Sequence, residues 1–403
     1  MYRSVSANIH YLYVIKLSKW LMLIMPVVAL FYNDNGLDSH DIYLLQAVYS
    51  FSVALFEVPS GYMADIIGRR TSLIIGSFLG TIGFVVLAAS SSFIGFLSAE
   101  IILGLGGSFI SGSDSALLFD SLAVMKRQNY YLRYEGRITA LGSLAETIAA
   151  VGGGLLAAWL SYRAVYISQA IIASIAIPAS LLIIEPQRQR LIAQPSIKQI
   201  LKISHYALFK NKELSSTIVM SSVTGLATLC MAWTSQVYFV SVGFNELQIT
   251  PLWVLLNLTV AIISAKAVSV VTRIGKRKAI IVIMIFMPLG YILLGALPLF
   301  PALVSLYLFY MIRGYATPML RDLTNQHCSS EIRATVLSLR SLLVRISFSI
   351  SGPLIGYVAG ISSLSTALII FGVILSGGFL MGGTMLLRIH QIGSSTVTDD
   401  PSS

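Results

Sequence analysis

The sequence predicts an all-α membrane protein of twelve transmembrane helices arranged as two pseudo-symmetric six-helix bundles. Three observations predict it. Of 403 residues, 56% are hydrophobic and only 11% charged, against roughly 45–50% and 25% in soluble domains, and the mean hydropathy is +0.81. The apolar residues gather into runs of about 20, the length an α-helix needs to cross a hydrocarbon core of about 30 Å. Short patterns in the first half of the chain return in the second. A β-barrel would instead need alternating segments of about 10 residues.

The runs lie at 11–32, 41–64, 72–91, 94–121, 137–160, 164–184, 214–240, 248–272, 279–297, 301–321, 334–358 and 363–387. The first has Lys16 and Lys19 ahead of WLMLIMPVVALFY, the flank of a secretory signal. No small-residue cleavage site follows, and the chain passes into NDNGLDSHD and the next run, so it reads as an uncleaved helix. The second run embeds Glu57 and Pro59 in apolar surroundings and ends on Asp65, Gly68, Arg69 and Arg70. The fourth holds Gly104, Gly106, Gly107 and Gly112, which thin a helix for packing or bending, with Asp114 inside it and Asp120 at its end. The fifth opens on EGR, Glu135 to Arg137, and carries Glu146 and VGGGLLAAW.

Residues 185–213, with Pro186, Pro195 and six Lys or Arg, form the longest connection and separate the halves. The expected division is an N-terminal bundle 1–184, a linker 185–213, a C-terminal bundle 214–392 and a tail 393–403. Within the linker, SIKQILKISHYALFK puts Ile197, Ile200, Leu201 and Leu208 on one helical face and Lys198 and Lys202 on another, behind a Ser196 cap. It reads either as a helix lying on the membrane surface or as a solvated linker helix.

In the second half, the eighth run ends in TRIGKRKA, so that Gly68, Arg69 and Arg70 are echoed by Gly275, Lys276 and Arg277. The eleventh opens on EIR, Glu331 to Arg333, an echo of EGR, and carries Arg340, Arg345 and SGPLIG. The tenth holds Arg313 in YMIRGYATP. Cys230 and Cys328, one in a run and one in a loop, suggest neither a disulfide framework nor a metal site.

Most of the 27 Lys and Arg fall on one side: Arg69, Arg70, Lys126, Arg127, Arg133, Arg137, the set from Arg188 to Lys212, and Arg273 to Lys278. The other side's loops offer Arg163. By the positive-inside rule both termini are cytoplasmic. The net charge of +10 is then a topology signal and calls for no nucleic acid.

At this point the chain resembles the major facilitator superfamily along essentially all its length. The residues that carry the resemblance are Gly61, Asp65, Gly68, Arg69 and Arg70, which match the family's loop motif between helices two and three, except that Ile66 stands where the motif has a basic residue. The resemblance implies a cytoplasmic gate. Gly61 lets helix two approach a partner, and Asp65 meets the start of helix eleven near Glu331 to Arg333, where a negative charge suits the positive helix terminus. Asp120 joins Arg69 or Arg70 as a second pair. The second copy has Thr272 in place of the acid and should hold less firmly.

A charge inside a membrane costs roughly 2.5–3.5 kcal/mol on insertion scales, so each one marks a functional residue or an ion pair. Glu57, Glu100, Asp114 and Glu146 lie in the first half, Lys266, Arg313, Arg340 and Arg345 in the second. Glu57 sits eight residues, about 12 Å, inside helix two from Asp65, beside a carbonyl freed by Pro59. It reads as a proton carrier, with Asp114 or Glu146 in reserve, or as one side of a static pair with Arg. Arg313 and Arg345 pair with the acids or receive an anionic group of a substrate. Arg340 and Lys266 read as snorkelling to the interface, and Glu100 as interfacial.

The resemblance implies a secondary active transporter of the inner or plasma membrane that moves a small organic solute by alternating access. The leading reading is proton-coupled export of an amphipathic or anionic molecule, the alternative proton-coupled uptake. Helix five lacks the proline of the family's antiporter motif, which weighs against export. There is no Walker-type nucleotide loop, and His10, His40, His205, His327 and His390 are scattered outside the runs, which disfavours an enzyme. A channel is disfavoured by the two-half echo. The chain is expected to act as a monomer without cofactor or metal, its partners being the substrate, protons and membrane lipids.

Overall fold

The computed structural model describes residues 2–186, 197–328 and 332–395, and among these there is no strand. Each of the twelve expected segments coincides with one helix or two consecutive ones. The first is split into α1 (Tyr2–Trp20) and α2 (Val28–Asp34). Pro26 lies in the interruption, where its ring would clash with the carbonyl four residues back in a continuous helix, and the freed N–H of Leu23 donates to Gln169 Oε1 at 2.8 Å. α3 (Ser39–Ile67) starts at a capping box, Asp38 with Asp41, which satisfies two of its orphan donors. α4 (Arg69–Ala89) follows after a single residue.

The fourth segment is bent into α5 (Phe93–Ile110) and α6 (Ser113–Val124) at Gly112. Then come α7 (Tyr131–Trp159) and the pair α8 (Tyr162–Ser174) and α9 (Ala176–Leu182). The linker holds α10 (Ile197–His205), continued by a π-helical turn Tyr206–Lys210; Ser196 lies outside the described residues. The second half runs α11 (Lys212–Ser241), α12 (Glu246–Ala265), α13 (Ala267–Ile274), α14 (Lys276–Ala296), α15 (Leu299–Gln326), α16 (Arg333–Ile361) and α17 (Leu364–Ser395).

Among the described residues nine of these segments are long and apolar enough to cross a membrane. The other three are the interrupted first, α3, and α7, which includes the shorter apolar stretch Leu144–Trp159. α1 begins well ahead of the expected position 11, which places Lys16 within its last third.

The chain forms two compact units, Met1–Ala193 with Phe239–Leu255, and Gln194–Tyr238 with Leu256–Ser403. In the first, Leu12, Ile15, Leu73, Leu117, Leu122 and Ile183 share one buried cluster. The rings of Phe31, Tyr32, Phe96 and Tyr166 form a second, Phe31 stacking on Tyr166 at 3.9 Å. Residues 239–255 join this unit through Glu246, which accepts from Tyr162 Oη at 2.8 Å, and through Thr250, packed on Gly154 so closely that a Cβ there would lie 2.8 Å from Thr250 Cβ. In the second unit, Tyr291 meets Phe309 and Phe371 edge-on.

The sequence echo has a structural counterpart. Gly68 joins α3 to α4 with φ 96° and ψ 148°, and Gly275 joins α13 to α14 with φ 83° and ψ 142°. Both lie in a region open to glycine and strained for any L side chain, so both halves make the same one-residue turn.

Candidate functional site

The turn at Gly68 is tied by hydrogen bonds to α6, to the end of α9 and to Glu185. Arg69 and Arg70 open α4, where the backbone N–H groups have no partner within the helix. The Glu185 carboxylate, just past α9, takes both: Oε1 accepts from Arg69 at 3.0 Å and Oε2 from Arg70 at 2.6 Å. An anion at a helix N-terminus is favoured by charge as well as by hydrogen bonding. A Cβ at Gly68 would press on the same carboxyl at 3.3 Å.

The guanidinium groups complete the knot. Arg69 Nη1 donates to Ala116 O at 2.6 Å and pairs with Asp120 Oδ2, while Arg70 Nη2 donates to Leu181 O at 2.9 Å. The first turn of α4 is thereby tied to α6 and to the end of α9. The side chain of Asp65 and residue Glu331 lie outside the described residues, so their expected meeting is not described. Gly61 is exposed, and a Cβ on it would meet no heavy atom within 4 Å among the described residues.

The second turn is bare by comparison. Lys276 and Arg277 are exposed and have no ion-pair partner among the described residues. Thr272 spends its hydroxyl on its own helix, at Val268 O, 2.9 Å away.

A second charged site lies deeper in the first unit. Lys16 is 6% exposed, with Nζ 2.8 Å from Glu135 Oε1 and 3.5 Å from Asp114 Oδ2. Ser115 Oγ accepts from Lys16 at 3.3 Å and donates to Glu135 Oε1 at 3.0 Å. One cation thus stands between two carboxylates from α6 and α7, so that Asp114 is one side of an ion pair. Lys16 reads in the sequence as a flank and Glu135 as a repeat signature; neither spacing signals that they meet.

Glu100 corrects another expectation. Far from being interfacial, it is 5% exposed, and its Oε1 accepts from Tyr32 Oη at 2.7 Å and from Gln46 Nε2 at 3.1 Å. Arg340 does not snorkel: it donates to the hydroxyl of Ser221 on α11, and to Ser221 O at 3.4 Å. Lys266 is exposed between α12 and α13.

Glu57 on α3 and Glu146 on α7 are half-buried. Beside Glu57, Ser60 Oγ donates to Ser108 O at 2.9 Å and so stitches α3 to α5. Arg313 is half-buried with its guanidinium 5.2 Å from the Tyr310 ring centre, a cation–π arrangement. Arg345 is half-buried on α16. Neither arginine has an ion-pair partner among the described residues.

A helical chain with many apolar spans, charges held inside them and two units that repeat the same turn has the architecture of a multi-pass membrane transporter. The profile of the Major Facilitator Superfamily matches residues 20–352, and the chain belongs to that superfamily. Its fold is similar to that of the nucleoside transporter NupG, at 17% identity over 94% of this chain and 98% of the other, with a TM-score of 0.69. It is also similar to a bacterial homolog of the human lysosomal transporter Spinster in an inward-facing, unoccupied conformation, at 13% identity over 96% and 98% of the two chains, with a TM-score of 0.73.

In sequence, 120 residues are 29% identical to the multidrug resistance protein Stp of Mycobacterium tuberculosis, covering 30% of this chain and 22% of that one. A further 29% identity over 115 residues links it to an uncharacterized transporter of Buchnera aphidicola, covering 28% and 26%. The chain spans about a quarter of the length of these curated relatives.

Proposed function

We propose that this membrane transporter is a secondary active exporter of a small amphipathic or anionic molecule, working by alternating access and coupled to protons. The observation that carries the anionic part is the state of Arg313 and Arg345. A guanidinium inside a span does not lose its charge, and one with no acid partner among the described residues is suited to bind a negative group on a substrate. Partial similarity to a protein named for multidrug resistance favours export. Uptake is the second reading, favoured by the missing proline in helix five.

For the coupling proton, Glu57 and Glu146 remain the carboxyls at depth, and the Lys16, Asp114, Glu135 set adds a third place. On this reading the Gly68 turn, with Gly61, Asp65, Arg69, Arg70 and Asp120, is a cytoplasmic gate, the Gly275 turn its weaker copy, and both termini face the cytoplasm of a cell whose inner or plasma membrane holds the protein as a monomer.

The test is substrate-stimulated proton flux in proteoliposomes, screened over anionic and amphipathic metabolites and drugs. Once a substrate is found, Arg313→Lys and Arg345→Lys keep the charge but lose the planar fork of donors, and at least one should weaken apparent affinity about tenfold, the ~1.4 kcal/mol of a charge-assisted hydrogen bond. Normal transport by both variants, or a purely cationic substrate range, sinks the assignment.

A further inference from the structure

The linker presents a face that the rest of its unit leaves uncovered. Through Ala207 and Leu208 it packs onto a cluster with Leu214, Ile218, Cys328 and Val336. On its other side Leu201 is 63% and Phe209 73% exposed. His205 lies between them at the i, i+4, i+8 spacing of one helical stripe, its ring 5.4 Å from that of Phe209. Lys198, Lys202 and Lys210 are exposed around the stripe, and residues 197–212 contain no acid.

Next to the stripe is a cavity of about 380 Å³ lined by Lys202, Tyr206, Asn211 and His327, with Ile203 and Ile332. Asn211 Nδ2 donates to Tyr206 Oη at 3.4 Å. His327 is already engaged: Nδ1 is 2.8 Å from Leu323 O, and Nε2 is 3.9 Å from Glu213 Oε2, the acid at the start of α11. Lys202 has no ion-pair partner among the described residues and is the cation left to the cavity.

What could occupy this face follows from its position. α11, long and apolar enough to cross a membrane, begins at Lys212, two residues beyond the π-helical turn, so the stripe lies close to the edge of the bilayer. Exposed leucine and phenylalanine flanked by lysines suit the boundary between acyl chains and headgroups, and lysines there are drawn to anionic lipid. We infer that the linker is a docking site for an anionic phospholipid. The lysines and the cavity hold the headgroup phosphate, with Lys202 as its nearest cation, and Leu201 and Phe209 enter the first methylenes of the acyl chains.

Phe209→Cys carrying a polarity-sensitive bimane label tests this in the full-length protein. The native cysteines compete little: Cys230 is fully buried in a span, and burial pushes the Cys328 thiol up, away from the reactive thiolate. In phosphatidylcholine vesicles containing phosphatidylglycerol the label should shift to the blue and be quenched by spin-labelled lipid, and less so in phosphatidylcholine alone. Each of Lys198→Gln, Lys202→Gln and Lys210→Gln should lower the docked-to-exposed ratio about fivefold, the ~1 kcal/mol per basic residue near an anionic surface. Lys202→Gln should do most, and Lys202→Arg should restore docking if the loss is one of charge and not of folding. A label that stays in water in both vesicles overturns the proposal. So does quenching that ignores lipid charge, or burial that appears only when an acidic soluble protein is added.

Discussion

Replacing Lys16 with methionine removes the cation that lies between the Asp114 and Glu135 carboxylates, and the size of the effect follows from the contacts. At an effective dielectric of about 20, ammonium to carboxylate distances of 2.8 and 3.5 Å correspond to ~5–6 kcal/mol of attraction each. Desolvation of the ammonium offsets much of this, and the Glu135 side chain is 30% exposed, so water screens part of the rest. Breaking a buried pair costs about 3–5 kcal/mol, and the lower end applies here. At roughly 2–4 °C per kcal/mol, Lys16→Met should lose about 6–12 °C in thermal stability, read by fluorescence-detected size-exclusion of heated samples. The wild-type set carries −1, the single variant −2, and the double variant Lys16→Met with Glu135→Gln returns to −1. The double variant should therefore be more stable than the single one. A single variant as stable as wild type, or a double variant no better than the single, would refute the reasoning.

Two further outcomes follow from the packing and the cap. A Cβ on Gly153 would lie 2.8 Å from the carbonyl carbon of Leu23 and 3.1 Å from its Cα, main chain that cannot swing aside, so Gly153→Val should cost about 1–3 kcal/mol and reduce monodisperse yield. Gly152→Ala next to it, with its nearest neighbour at 3.6 Å, should be tolerated; equal behaviour of the two would show that the contact does not matter. Glu185→Ala should leave the Arg69 and Arg70 N–H groups to water, costing about 1–2 kcal/mol, and should speed deuterium uptake across 68–72 without changing it around 275–279, where no such cap is present among the described residues.

The helices were legible because their signal is local: a run of about 20 apolar residues needs no knowledge of its neighbours. The break at Pro26 was not read, because the apolar run passes through it, and at Gly112 only packing or bending was expected; the proline ring and the glycine's positive φ explain both afterwards. The site was harder. Arg69, Arg70 and Asp120 stood out as charges at segment ends, but Glu185, which holds both arginine N–H groups, is 116 residues from Arg69 and resembles any linker acid. Lys16 was hidden by the early start of α1: counted from the apolar run it is a flank, counted from Tyr2 it is inside the helix. Glu100 and Arg340 were misplaced because insertion cost tells that a charge needs company, and only the folded chain tells which hydroxyls and amides supply it.

The bareness of the Gly275 turn has a practical side for anyone who must enlarge this small, mostly lipid-embedded particle for imaging. A Cβ at Gly275 would touch nothing within 4 Å, and Lys276, Arg277 and Lys278 after it are all exposed. A rigid fusion partner spliced between α13 and α14 would disturb the backbone bonds of Gly275 to Val271 and Ala279 but no side-chain cap or ion pair among the described residues, and doubling the length of the connection costs only about 0.6 kcal/mol in closure entropy. The same splice at Gly68 would pull two N–H groups off Glu185 and Arg69 off Asp120. Of two turns with one backbone geometry, the chain thus offers a single graft point, and it is in the second copy.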